Sequence, residues 1–344
     1  MKRFSSLFIQ DLLLAYRSGH VLITGLLLVG MLALVIFLPS ELKVHNELIL
    51  DQTPGADLAS FLSLNDVPQD IVYTDQDAFR AALEQQPSKV GVVYSGGIDQ
   101  PQFEIITSSI VSEQNLGLLE ASLDYAMSQL RGERGGNIAV EFLYPPAAPP
   151  PFNLKFVPIM LVFEVVLLGF FIAAVLMFQE KQEGTLRAYR VTPAGAMQYI
   201  LSKTTLFITL SLAYGLPILL LGFGLRINYG LLLLLVVLSS ALMTLFSLAI
   251  AVFFRNLSEW FFVGVAVLVI NSLPMLSYSL PSFSPAWMRW IPSYPAVFAA
   301  RDILFSAASF ERIAPTLLYL SALTLLALAA SFAAVNFKLL KEGR

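Results

Sequence analysis

The residues best suited to chemistry in this chain are gathered in one stretch, MFQEKQEGTLRAYRVTP, from Met177 to Pro193. It carries two carboxylates three positions apart, Glu180 and Glu183, with three cations, Lys181, Arg187 and Arg190, and a Gly184–Thr185 pair. On a helix, positions i and i+3 are neighbours, so the two carboxylates could together meet a basic groove on a soluble partner. The same residues suit a solvated connector that only sets topology, and charge alone favours that reading. Thr192–Pro193 reads as the next helix start, with Thr as N-cap and Pro in the first helical position.

Other chemistry is sparse. There is no Gly-Lys pair, which excludes a G-x-x-x-x-G-K-[ST] phosphate loop, and no H-E-x-x-H. Cysteine is absent, so thiolate nucleophiles, thiolate metal sites and disulfides are excluded. The two histidines, His20 and His45, are too few for a His-built metal site, and His20 reads as an interfacial residue. Net charge of −3 gives no reason to expect nucleic-acid binding. An enzyme reading therefore has little support, and no bound cofactor or metal is expected.

The elements that position these residues are membrane spans. The chain is 57% hydrophobic and 13% charged, against about 25% charged in soluble domains. Six apolar runs are long enough to cross a bilayer: 20–38, 156–178, 204–225, 230–254, 260–280 and 315–337. Arg226–Tyr229 makes a tight hairpin of the third and fourth. Arg255–Glu259 separates the fourth and fifth, with Trp260 as an interfacial anchor. The first run, Val21–Leu38, exceeds a signal-peptide core of about 7–15 residues and no A-x-A site follows, so it reads as an uncleaved signal anchor. Residues 1–19 place Phe4, Leu7, Phe8, Leu12, Ala15 and Tyr16 near helical spacing, as in an amphipathic helix in the interface.

Ionisable residues within spans are functional candidates by default. Glu164 in the second span could line a wet cavity or face a partner helix, or be a near-surface carboxylate reached by water. Asn271 in the fifth span suits an interhelical hydrogen bond. Both are candidate residues of an intramembrane pathway.

Charge sets the orientation. With both termini in the cytoplasm, eleven of the 21 Lys and Arg face inside and four lie in short external loops. The other six lie in segment 39–155, which would translocate largely regardless of charge. That segment reads as an extracytoplasmic α/β domain. Its strands are expected at Glu47–Asp51, Ile71–Thr74, Val90–Ser95, Phe103–Thr107 and Ile138–Tyr144, and its helices at Asp75–Gln86 and Ser112–Arg131. Pro145–Pro151 forms a stiff linker into the second span. Segment 273–314 is too broken to span and too apolar for free water. It suits either short helices dipping into the outer leaflet (281–312) or a surface loop with interfacial Trp287, Trp290 and Tyr294. The fold class expected is a mainly α integral membrane protein, six transmembrane helices with an inserted α/β extracytoplasmic domain.

Three features together resemble the type-2 ATP-binding-cassette (ABC) exporter permeases, in the branch with a large external domain after the first span. EKQEGTLRAYRVTP follows the second span, with Lys203 ahead of the third. PSFSPAWMRWIPSYPAVFAARDILF precedes the last span, with Pro285, Trp287, Pro295 and Arg301. The order is interfacial helix, span, external domain and five spans.

The resemblance implies a permease working as a dimer, with a second copy or a sister permease, above two cytosolic ATPase subunits. It implies that ATP and Mg are used by those subunits. It also implies that loop 179–193, through Glu180, Lys181, Glu183, Gly184, Thr185, Arg187 and Arg190, contacts the ATPase, with the N-terminal helix nearby. Gln182 departs from the acid frequent at that position. Trp287, Trp290, Pro295 and Arg301 mark the outer-leaflet segment. A bacterial inner-membrane location follows, and a periplasmic adaptor is a further expected partner. The alternatives are an ATPase-independent scaffold or receptor with an external recognition domain, and a secondary transporter. The last would ask more intramembrane charge than Glu164 supplies.

Overall fold

The computed structural model describes residues 2–40, 47–52, 71–85, 90–95, 102–107, 150–185, 195–280, 283–306 and 308–341. Two compact units divide the chain, Met1–Glu41 with Ala147–Arg344, and Leu42–Pro146.

The chain opens with α1 (Lys2–Arg17) and α2 (His20–Phe37). Gly19 breaks them apart at φ 81°, a left-handed conformation open to glycine at little cost. Asp11 and Ala15 form the buried stripe of α1, while Leu12 and Tyr16, expected on its apolar face, are exposed. Ala15 joins Leu176, Leu206, Phe207 and Leu210 in an apolar cluster. A carboxylate thus sits where periodicity places apolar residues.

The Leu42–Pro146 unit contains β1 (Glu47–Asp51), β2 (Val72–Tyr73), α3 (Gln76–Gln85), β3 (Val90–Ser95) and β4 (Gln102–Thr107). They form a sheet of order β2-β1-β3-β4, parallel except for the antiparallel β3–β4 pair. Asp75 accepts from the backbone N–H of Asp77 and Ala78, so α3 starts where an acidic helix start is read in the sequence. Phe79 on α3 is fully buried with Leu48, Leu50, Ile71 and Val93. The expected helix at 112–131, the strand at 138–144 and prolines 145–149 lie outside the described residues.

Six helices follow: α4 (Phe152–Gln182), α5 (Ala196–Phe223), α6 (Tyr229–Ala251), α7 (Leu257–Ser279), α8 (Ser293–Phe305) and α9 (Phe310–Val335). Among the described residues, six helices are long and apolar enough to cross a membrane, α2, α4, α5, α6, α7 and α9. With 28 residues, α5 is about 42 Å long, more than the hydrocarbon core needs. Its first turns therefore carry Lys203 inside the helix, not ahead of it.

The hub of the bundle is α6, packed against α4, α5 and α9. Small and hydroxyl residues let the backbones close up. A Cβ on Gly169 would lie 3.0 Å from Met243 Cβ and 3.2 Å from the Ser240 carbonyl oxygen. Gly169 falls in a π-helical stretch of α4, Leu167–Ile172, where the wider turn disturbs the usual ladder. There Ser247 of α6 donates to the Phe170 carbonyl at 2.6 Å. Asn228 and Asn256 cap α6 and α7 by accepting from Leu231 and Glu259 N–H.

Two expectations are corrected here. Trp260 is fully buried against Phe170, Phe171 and Phe178, so it is a core residue and not an interfacial anchor. A Cβ on Gly264, one turn on, would come within 2.5 Å of its ring, so the missing side chain there makes room for the indole. Residues 273–279, where the fifth run (260–280) and the broken segment overlap in the sequence, belong to α7, so the broken segment begins beyond them. Beyond them come a 3-10 turn, Ala286–Trp290, and α8, tied down by Ser293 Oγ to the Asn271 carbonyl (2.7 Å) and Tyr319 Oη to the Trp290 carbonyl (2.7 Å).

Candidate functional site

The chemistry-bearing stretch begins at the end of α4, which Gly184 terminates at φ 75° while Glu183 N–H returns to the Gln179 carbonyl (2.9 Å). A left-handed glycine just past the last turn is the common stop for a helix. The Gly of the Glu-Gly-Thr sequence therefore has a backbone role.

Glu180, one turn earlier, points into the protein. It pairs with Lys203 of α5 and accepts from Tyr199 Oη at 2.8 Å. Lys203 also pairs with Asp11 of α1 at 2.6 Å, and Asp11 accepts from Ser202 Oγ at 2.5 Å. Each of the four carboxylate oxygens thus has a donor, as a buried network of charges requires. Lys203 is 1% exposed. A 20 Å³ cavity beside it, bordered by Leu7, Gln10, Thr185 and Tyr199, has room for about one water.

Lys181 turns the other way. Its Nζ donates to the carbonyls of Ala251 (3.1 Å), Val252 (3.3 Å) and Phe254 (2.7 Å), and lies 4.8 Å from the Phe178 ring centroid. An ammonium on the last carbonyls of a helix satisfies orphan acceptors and complements the helix dipole. Lys181 therefore anchors the end of α4 to the end of α6.

What remains outward differs from the sequence expectation. Glu180 is buried and Glu183 exposed, although i and i+3 differ by only about 60° around a helix. The boundary between protein and surroundings falls between them. Gln182 is exposed and Thr185 half-buried. Arg187, Arg190 and the Thr192–Pro193 helix start lie outside the described residues.

The other expected residues stand apart from this cluster. Glu164 is 2% exposed within α4, and its Oε1 has no hydrogen-bond partner among the described residues. Asn271 Nδ2 donates within its own helix, to the Val267 carbonyl at 3.0 Å. The interhelical bond at that position goes to the Asn271 backbone, so the expected side-chain link between helices is corrected. Trp287 and Trp290 are exposed, and Pro295 is half-buried. Arg301 stacks over Phe298 and shares Asp302 with Arg312 (2.8 and 3.0 Å).

Asp11, Tyr199 and Ser202 are the members of the network that sequence reasoning missed. One signal was present: Asp11 lies four residues after Leu7 and four before Ala15, on the buried face of α1. A lone carboxylate on such a face implies an internal partner.

Six helices long and apolar enough to span, a separate αβ unit and a charged network binding three helices at one end of the bundle define a multi-pass, mainly helical membrane protein. A family model described as ABC-2 family transporter protein matches residues 21–333, and the chain belongs to that family. It is similar to the fluoroquinolones export permease proteins of two Mycobacterium tuberculosis strains, CDC 1551 / Oshkosh and ATCC 25618 / H37Rv. Each is 28% identical over 167 residues, 48% of this chain and 68% of the relative. No solved structure matches the chain.

Proposed function

We propose that this chain is the membrane-spanning subunit of an ATP-driven exporter, paired with a second copy or a sister permease and powered by separate ATPase subunits that use ATP and Mg. The family match over residues 21–333 is the observation that carries this reading. The end of α4 supports it mechanically. Glu180 is held by α5, Lys181 by the end of α6, and Lys203 carries the link on to Asp11 of α1, so a push on this end would pass to three other helices as one body. Glu183, with Arg187 and Arg190 beyond, would then be the face that meets the ATPase.

In this reading both termini and loop 179–193 face the cytoplasm of a bacterial inner membrane. Segment 39–155 lies outside, available to a periplasmic adaptor. Glu164 and Asn271 are the polar residues of the pathway. Trp287, Trp290, Pro295 and Arg301 shape the outer-leaflet segment. The fluoroquinolone export for which the relatives are named makes small drug molecules the first substrates to test.

The experiment is purification of the tagged chain from gently solubilised native membranes, with partners identified by mass spectrometry. A stoichiometric protein carrying a phosphate-binding loop is expected. A chain that arrives with no ATPase, where a known exporter of this class keeps its own, would favour the scaffold reading.

A further inference from the structure

Asp302 of α8 is buried, and arginines take both of its oxygens. Arg301 donates to Oδ1 through Nε (3.0 Å) and Nη2 (2.8 Å), and Arg312 of α9 donates to Oδ2 (3.0 Å). Arg312 thereby ties α9 to α8. Arg301 adjoins Asp302 on the same helix, so its pairing joins no two elements. Instead its guanidinium is held in place, with the Phe298 ring centroid 4.9 Å away. Among the described residues its Nη1 edge has no hydrogen-bond partner.

The two arginine side chains are 41% and 36% exposed, against 13% for that of Asp302. Two cations share one anion, so a positive charge is left over and turned outward. Glu311, the other carboxylate in that turn of α9, is exposed one residue from Arg312, about 100° around the helix. A guanidinium fork matches the oxygens of a phosphate.

The position in the membrane selects the kind of phosphate. Phe305, the last residue of α8, packs on Phe223, the last of α5 (5.6 Å), so the arginines sit at the end of the bundle opposite Lys203. Arg312 lies in the first turn of a span. Tyr319, two turns deeper, holds the Trp290 carbonyl ahead of α8. From Tyr294 to Arg301, α8 therefore rises about 10 Å toward the surface. Tyr294, Phe298 and Arg301 follow one another along one half-buried side of it, with the two rings 4.6 Å apart. An anion seated on the arginines has an apolar track beneath it that leads into the hydrocarbon.

We propose that Arg301 and Arg312 bind the phosphate of an acidic phospholipid, with an acyl chain lying along Phe298 and Tyr294. A zwitterionic headgroup brings its own cation and leaves the surplus charge unmatched. The site asks nothing of an ATPase, so it stands or falls independently of the exporter reading.

The test is native mass spectrometry of the full-length chain in nonionic detergent, titrated with dioleoylphosphatidylglycerol or dioleoylphosphatidylcholine. We expect phosphatidylglycerol to bind about tenfold more tightly, the scale of one charge-assisted hydrogen bond. Arg301→Gln and Arg312→Gln should each remove most of that preference. Arg226→Gln, at an exposed arginine between α5 and α6, should leave it intact. Equal affinity of the unaltered chain for the two lipids overturns the proposal without recourse to any variant. An equal loss in Arg226→Gln overturns it too, because the preference would then belong to surface charge as a whole. Displacement of phosphatidylglycerol by millimolar inorganic phosphate would assign the arginines to a soluble anion and overturn the lipid assignment.

Discussion

Lys203 and Asp11 are 192 residues apart in sequence and 2.6 Å apart in space. Glu180 takes a second bond from the same ammonium, so α1, α4 and α5 converge on one buried charge. Such a network adds little net stability over an apolar replacement, but removing one member strands the others.

Lys203→Met leaves two buried carboxylates without their cation. It should cost about 3–5 kcal/mol in thermal unfolding of the purified chain. The triple variant with Asp11→Asn and Glu180→Gln should recover most of that loss, because neutral side chains carry a smaller desolvation cost. A triple variant as unstable as the single one would show that the pairing is not the source.

Lys181→Ala removes the donor to three carbonyls at the end of α6. The expected cost is about 1–2 kcal/mol, and it should be local. Hydrogen exchange should speed up in residues 251–258 while the middle of α6 stays protected. Uniformly faster exchange along α6 would refute a capping role.

Glu183→Arg changes an exposed charge at the terminus of α4. Thermal stability should hold to within about 0.5 kcal/mol. If this is the ATPase-facing side, transport by the reconstituted complex should fall about tenfold or more while ATP hydrolysis continues. Unchanged transport would move the contact elsewhere on the loop.

Gly264→Ala places a methyl group within 2.5 Å of the Trp260 ring, which Phe170, Phe171 and Phe178 hold from other directions. Overpacking of about 1–3 kcal/mol is expected. Brominated lipids should quench tryptophan emission more strongly in the variant as the indole is displaced toward the bilayer. A variant with unchanged quenching and stability would mean the ring accommodates the methyl in place.

Much of the architecture was legible because bilayer thickness imposes a local rule. About 20 apolar residues in a row need no partner to be recognised, and the runs beginning at 20, 230 and 260 fall within three residues of the starts of α2, α6 and α7. Strands β1 and β3 were equally readable from their short apolar runs, and the start of α3 from Asp75. Helix ends were harder. The helical segments of α4 and α5 extend beyond their most apolar windows, so Lys203 was read as lying outside the span.

The site was legible in composition but not in direction. Glu180 and Glu183 are chemically alike and neighbours on the helix, yet one is buried and the other exposed. That choice depends on where α1 and α5 lie, and neither position is encoded near residue 180. Trp260 is a similar case. At the end of a span an indole suits the headgroup level, but Gly264 and three phenylalanines from α4 provide a better-packed place inside.

By itself, the sequence determined the number of spans and their approximate limits, because each depends on residues within a few turns of one another. Tertiary structure decided that Asp11, Glu180 and Lys203 form one network, that Lys181 caps a helix 70 residues away, and that the indole of Trp260 lies inside the bundle. Burial and pairing are properties of helix packing, and packing brings together residues whose separation along the chain carries no information about their contact.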